Sequence, residues 1–582
     1  MTDHLKVDGY ATETPGRRVL PRISDAALIC LLSVSLAVIG TAAAYFLLGA
    51  PALIGIDDAN ITMIYGRNIA AGHGYVYTPG FERVEGSTSL LWTSINAAAY
   101  SITPRPELLL LGISVLLTAG GLSFALRGFD LLFRIAGISR IWGFAFATVF
   151  LISLFGFYAW NALTLMDLTV WSFTILGLSY TVLCRVLEGM PNANFAWRVA
   201  AFSTLMVLAR PEAMVLTPAI LLLGVLAEKD LSGTPRETLR AYGPGLFAAA
   251  STAAGLAIFR VIYFGVPFPN TYYAKVSENF PNNVLGGFKY FFNFLFNGIY
   301  SEIYVFGVLF SFFYFYWRSF SGDLNQPPRR VDRGLFFLSA VICLFLSIQF
   351  VTGGDQFGSF RFYQPVYPWF FAPVFVGALV LLRPIQIFSG MPDRLRILLF
   401  ATFAVAHLAA CTVQFHFLSG LNNEFGVADR GRAVGEALTH LRKRGVEFTV
   451  GSISAGGIGL TFEGRLLDLM GLNWPEMSRA AKPRGYLAGH GAFDDAVFWV
   501  HRPELVVPSL VDAAPQPITI NWTIQAALKG MPHDKDFRSA YLPVSIPVAG
   551  QYIVAFARRD WIRTYALTLK IRTAAWDAVR FE

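Results

Sequence analysis

Between Asp25 and Asp57 the sequence runs 31 residues without an Asp, Glu, Lys or Arg. That is more than the ~20 residues a helix needs to cross the hydrocarbon core of a bilayer. Comparable uncharged stretches separate Arg240 from Arg260, Arg333 from Asp355, Arg361 from Arg383 and Arg396 from Glu424. Only 14% of the 582 residues are charged, against about 25% in an ordinary soluble domain. A soluble globular enzyme is excluded, and the runs specify a polytopic α-helical membrane protein.

With the segment carrying Lys6, Arg17, Arg18 and Arg22 taken as cytoplasmic, spans fall near 24 to 49, 107 to 127, 141 to 158, 168 to 186, 197 to 209, 213 to 228, 243 to 263, 302 to 318, 334 to 352, 365 to 383 and 396 to 416. That makes about eleven transmembrane crossings. Segments on the inner side then hold 19 Lys and Arg, and outer loops before the tail hold seven, the bias expected of cytoplasmic loops. The first run is too long for the ~7 to 15 apolar residues of a signal peptide and reads as an uncleaved span. The short apolar stretch 88 to 103 reads as an interfacial helix. The pair 197 to 209 and 213 to 228 is short for a crossing and meets at Arg210-Pro211-Glu212, below the outer surface. The net charge of +8 is read as this topology signal, so no nucleic acid partner is expected. Cys30, Cys184, Cys343 and Cys411 sit singly inside apolar runs, without the spacing of a zinc site or a disulfide framework.

From residue 417 charges return and apolar runs shrink to strand length. Val434, Leu438 and Leu441 recur at helical spacing before a strand at 446 to 450. Further strands are expected at 465 to 469, 505 to 508 and 551 to 557, mixed with helices. The expected organisation is a cytoplasmic segment 1–23, a membrane module 24–416 whose first outer loop is about 54–106, and an extracytoplasmic α/β domain 417–582.

Polar residues gather on one side of this threading. Asp57 and Asp58 stand where the first span ends, and Arg67, His73 and Glu85 follow in the same loop. Met166-Asp167, Arg210-Pro211-Glu212, Asn270-Thr271-Tyr272-Tyr273-Ala274-Lys275 and Gly353-Gly354-Asp355 with Arg361 lie on that side too. Taken singly, each has a structural explanation: Asp58 capping a helix, an Arg-Glu pair, a glycine turn. Their convergence on one leaflet, with carboxylates and cations interleaved, fits a site for an anionic substrate at the membrane surface.

Asp57-Asp58-Ala-x-Ile-Thr, Arg67-Asn-x-x-x-Gly72-His73-Gly74 and Val84-Glu85-Gly86-x-Thr88-Ser89-x-Leu-Trp92 resemble the first extracytoplasmic loop of bacterial GT-C glycosyltransferases similar to the mycobacterial terminal β-(1→2) arabinofuranosyltransferase. Leu208 to Glu212, Pro269 to Lys275, Gly353-Gly354-Asp355 with Arg361 and Pro365, and Asp468 to Leu472 extend the resemblance over most of 55 to 475. One departure is Leu165-Met166-Asp167, where that family carries Gly-Met-Glu. The resemblance implies a GT-C-like module in the bacterial inner membrane. It also implies transfer of a sugar, such as the pentose arabinofuranose, from a polyprenyl-phosphate donor to a cell-envelope glycan or lipid, with inversion.

Such a displacement needs one carboxylate to take the acceptor proton and cations to hold the departing phosphate. The resemblance assigns Asp57 as that base, with Asp58 orienting it or the acceptor. Arg210, Lys275 and Arg361 are the candidate phosphate ligands. Glu212 and Asp355 either neutralise those cations or line the substrate pocket with Arg67, His73, Glu85 and Tyr272. His73 either faces the sugar or ends a helix at a glycine. No cofactor is required by the residues, although a divalent cation on Asp57, Asp58 and His73 is compatible with the superfamily. Membrane lipids are the remaining expected partners, and a polyprenyl-linked sugar flippase or transporter without transferase chemistry is the rival reading. Arg260, inside a span, has no evident role.

Overall fold

A computed structural model describes residues 25–582 apart from 53, 230–233, 276–279, 299, 321–329, 356, 383–390, 481–491 and 513–518. The segment 1–23 therefore lies outside the described residues. Among the described residues eight helices are long and apolar enough to cross a membrane, and each coincides with an expected span. A ninth, expected over 141 to 158, is two helices bent by 60° where Arg140–Ile152 gives way to Phe155–Leu163. The break falls at Ser153 and Leu154, and the second arm ends in a π-helical turn at Ala159–Leu163. The last two expected crossings are the helices Asn192–Ala209 and Ala213–Glu228, of 18 and 16 residues, which meet at Arg210.

Burial follows the logic of a protein whose solvent is lipid. On Asp25–Leu47 the exposed side chains are apolar (Leu28, Leu31, Val38, Phe46), while Ser33, Gly40, Thr41 and Ala44 face inward. Small residues let helices approach where no water drives them together. At Gly40 a Cβ would stand 2.4 Å from the Tyr158 ring. Leu168–Glu188 is the most buried span and packs against Glu107–Ala136, Asn192–Ala209 and Arg330–Thr352.

Two helices between the first two spans, Asp57–Ala70 and Leu90–Ile102, lie against each other. The second falls in the stretch expected to form a helix, and Ser89 caps it by accepting the Trp92 amide hydrogen at 3.1 Å. Phe280–Asn297, an 18-residue helix outside the expected spans, exposes Phe288, Phe292 and Phe296 and packs against Arg330–Thr352.

The span Asp393–Leu418 leads through Gly420, at φ +65°, into Leu421–Lys443, the first helix of the C-terminal domain. The domain's strands are β1 (Thr449–Ser452), β2 (Arg465–Asp468), β3 (Leu505–Val511), β4 (Thr519–Ile520), β5 (Tyr541–Val548), β6 (Gln551–Arg558), β7 (Arg572–Thr573) and β8 (Arg580–Phe581). Six form one sheet in the order β2-β1-β3-β6-β5-β7; β4 and β8 pair separately. β1 runs parallel to β2 and β3, and the remaining pairs of the large sheet are antiparallel. The fold is the expected polytopic helical module followed by an α/β domain.

Candidate active site at the seam of module and domain

The helix Asp57–Ala70 begins at the aspartate pair, but neither carboxylate caps its own helix. Asp57 reaches the domain instead: Oδ2 accepts the Gly456 amide hydrogen at 3.1 Å and Oδ1 that of Gly457 at 2.6 Å. Those amides open the short helix Gly456–Thr461 that follows β1, where a carboxylate meets N–H groups with no intrahelical partner. Only glycine fits. A Cβ on Gly456 would stand 1.8 Å from the Asp57 carbonyl oxygen, and one on Gly457 would stand 2.6 Å from that of Ala428. Burial raises the Asp57 carboxyl to about 6; the two amides oppose this and the neighbouring Asp58 adds to it.

Asp58 faces the opposite way, with Oδ2 3.8 Å from Nη1 of Arg361. Arg361 also pairs through Nε and Nη2 with Asp355 and lies 4.2 Å over the Phe357 ring and 4.9 Å over Phe362. Its Nη1 has no hydrogen-bond partner among the described residues. The backbone leading to it is bent by Gly353 and Gly354, at φ +92° and +71°, and by Ser359 and Phe360, which adopt φ +57° and +50°. Left-handed geometry at two non-glycine residues is stored strain of the kind found beside functional groups.

Arg210 lies over the same Phe362 ring, 5.5 Å from its centre. Arg210 is clamped: Nη1 binds Asp167 at 3.1 Å and Nη2 binds Glu212 at 2.9 Å. Burial would lower this guanidinium, but the two carboxylates outweigh it and hold it above its ordinary value. Glu212 is held low by Arg210 against its own desolvation. Leu165, standing where the resembling family has glycine, adopts φ +54°, a left-handed geometry that glycine favours.

Thus Asp57, Asp58, Asp355, Arg361, Arg210 and Glu212 come together; of the other five expected site residues, four lie elsewhere and Lys275 pairs with none of the six among the described residues. Arg67 donates to the Leu460 carbonyl at the end of the 456–461 helix. His73 is exposed after Gly72, at φ +80°, where the 57–70 helix has ended. Glu85 holds Arg260 in a buried two-pronged pair at 2.7 and 2.9 Å, which accounts for the arginine in the span. Tyr272 is 44% exposed. Lys275 ends a short helix whose Asn270 is anchored to the Gly471 and Leu472 carbonyls, and it makes no ion pair among the described residues. A divalent cation does not fit the residues expected to bind it: the Asp57 oxygens hold amides, Asp58 faces a guanidinium and His73 lies away. Among the described residues no three His, Cys, Asp or Glu are grouped to hold a metal ion.

Three domain features escaped the sequence. Glu424, on Leu421–Lys443, is pushed up to about 7 by burial and by Asp58, with Arg361 opposing. Asp468 accepts the Met470 and Asn473 amides, and burial leaves it at about 6. Asn473 in turn accepts from the Tyr65 hydroxyl at 3.0 Å, tying this turn to the first outer segment. The run Ala455-Gly456-Gly457 between a strand and a helix was a legible anion-binding signal.

No family model matches the sequence, and no curated protein does. Among solved structures, ArnT from Cupriavidus metallidurans bound to undecaprenyl phosphate is similar over 91% of this chain and 98% of its own, at 12% identity and a TM-score of 0.52. The Archaeoglobus fulgidus oligosaccharyltransferase in complex with zinc and sulfate matches over 76% and 62%, at 13% identity and a TM-score of 0.46. Likeness at this identity is likeness of fold: the chain has the GT-C-like membrane fold seen in ArnT, with an α/β domain after its spans.

Proposed function

We propose that this chain is an inverting glycosyltransferase that moves a sugar, a pentose such as arabinofuranose, from a polyprenyl phosphate to a cell-envelope glycan or lipid. Catalysis takes place on the outer side of a bacterial plasma membrane, with the N-terminus cytoplasmic and the domain outside. The observation that carries this reading is the meeting of the Asp57–Asp58 pair with Arg361 where module and domain join. The fold shared with an ArnT that binds undecaprenyl phosphate supports the donor class.

In this reading Asp57 takes the proton of the acceptor hydroxyl as its oxygen bonds to the anomeric carbon, and the bond from that carbon to the phosphate oxygen breaks. A carboxyl near 6 is ionised at neutral pH yet basic enough to accept the proton. Arg361, whose Nη1 makes no hydrogen bond among the described residues, and Lys275 hold the charge that builds on the phosphate. Asp58 and Asp355 orient Arg361, and Arg210, held by Asp167 and Glu212, packs against the same Phe362 ring.

The test is incubation of the purified protein with a panel of polyprenyl-phosphate sugars and a cell-wall glycan. Donor-dependent elongated product is the expected result. Donor binding without transfer for every sugar and acceptor would favour the flippase and overturn the transferase reading.

A further inference from the structure

A second polar site lies apart from the aspartates. Where the first outer loop, the end of the Pro235–Phe264 helix and the domain converge, a cleft of about 400 Å³ opens. Three arginines from separate segments line it: Arg83, Arg465 and Arg479. None makes an ion pair among the described residues. Two are laid on aromatic rings, Arg83 4.4 Å over Tyr263 and Arg465 4.6 Å over Phe81, and Arg479 lies 5.6 Å from the Tyr273 ring. A guanidinium resting on a ring keeps its planar fork of donors oriented before any ligand arrives. Arg83, Arg465 and Arg479 outnumber the two carboxylates of the cleft, Glu82 and Glu476, and an anionic ligand supplies the counter-charge.

We infer that this cleft binds an anionic saccharide, a sugar ring carrying a carboxylate or phosphate. Its volume falls in the range of small-molecule sites, roughly 300–1,000 Å³, and exceeds what one inorganic anion fills. Phe264, Trp474 and Pro475 supply an apolar wall for a ring face. The Glu82 carboxylate, and that of Glu476 held by His501 at 2.6 Å, accept hydrogen bonds from hydroxyls, which a bare phosphate lacks.

Behind the cleft a crevice of about 20 Å³ runs past Arg465 and Trp474 to Tyr77 and Asn473. The Tyr77 hydroxyl donates to the Ala455 carbonyl, next to the glycines that hold Asp57. The cleft is thereby linked through Tyr77 to the segment that holds Asp57, and the role we infer for the saccharide is that of the acceptor. That role rests on the transferase reading, whereas the binding does not.

The test is calorimetric titration of the full chain in lipid nanodiscs with cellobiuronic acid, with its neutral counterpart cellobiose, and with inorganic phosphate. Cellobiuronic acid is expected to bind about tenfold tighter than either of the others, one charge-assisted contact's worth. Arg83→Gln and Arg479→Gln, on different segments and both exposed, are each expected to weaken it about fivefold to tenfold without lowering the unfolding temperature. Undecaprenyl phosphate is expected not to compete. Equal affinity for acid and neutral sugar, equal affinity for phosphate alone, displacement by undecaprenyl phosphate, no binding, or indifference to both substitutions overturns the proposal. Retained binding in a protein that transfers no sugar overturns the transferase reading alone.

Discussion

Asp57 Oδ1 accepts the Gly457 amide hydrogen at 2.6 Å, joining residues 400 positions apart in the chain. The residue that opens the helix after the first span is thereby locked to the helix that follows β1 of the domain, so basicity at Asp57 and seating of the domain are linked. Asp57→Asn is expected to lower turnover by a factor on the order of 10² to 10⁴ while donor binding persists. The new amide also sets N–H against N–H at one glycine, which costs about 1–3 kcal/mol of stability. Asp58→Asn leaves both amide bonds intact and serves as the control. Inactivity of Asp58→Asn with activity of Asp57→Asn exchanges their roles, and full turnover in both removes the pair from the chemistry.

Titration gives a second expectation with two opposite signs. A base at about 6 must be ionised to work, so turnover rises with pH through about 6. The folded value lies above the ordinary 3.8, so the Asp57 contribution to stability is fully present below about 3.8 and is lost as pH rises through about 6. Asp468, raised to about 6, acts in the same direction. Unfolding temperatures of the wild type and Asp57→Asn, compared from pH 4 to 7, are expected to converge as pH rises. A constant difference across that window would defeat the assignment.

What the sequence made legible were features carried by composition and by local spacing. The spans follow from uncharged runs, and the C-terminal α/β region from the return of charge with apolar runs of strand length. The aspartate pair stood out because acids at a bilayer surface are costly. Partnerships across the chain were not legible. Arg260 was visible as an anomaly, but Glu85, 175 residues away, could not be named as its partner. Glu85 and Arg67 resembled site residues because a buried structural ion pair and a helix-end contact use the same residue types that catalysis uses. Glu424 belongs to a helix whose apolar spacing showed only a core face, and its approach to Asp58 depends on how the domain docks.

The Glu85–Arg260 pair yields a prediction that does not depend on catalysis. Both side chains are nearly buried, at 5% and 3% exposure, so removing one leaves the other charged and unpaired. Glu85→Ala and Arg260→Ala are each expected to cost about 3–5 kcal/mol, and the double replacement Glu85→Leu with Arg260→Met to recover most of it. Thermal unfolding in one detergent measures this. Single variants as stable as the wild type would show that the pair is solvated.

The three candidate phosphate cations should separate, because the structure gives each a different set of neighbours. Arg210 spends its donors on Asp167 and Glu212, so Arg210→Ala strands two carboxylates and is expected to lower stability more than donor affinity. Arg361 keeps Nη1 without a hydrogen bond, and Lys275 has no ion pair among the described residues, so Arg361→Ala and Lys275→Ala are expected to weaken donor binding about tenfold. Their effect on turnover should exceed their effect on binding, because charge on the leaving oxygen grows toward the transition state. Equilibrium binding of a polyprenyl-phosphate sugar, measured beside single-turnover rates, resolves the two. If Arg210→Ala alone abolishes binding while the other variants bind as the wild type does, the phosphate sits on Arg210, and Arg361 is the brace.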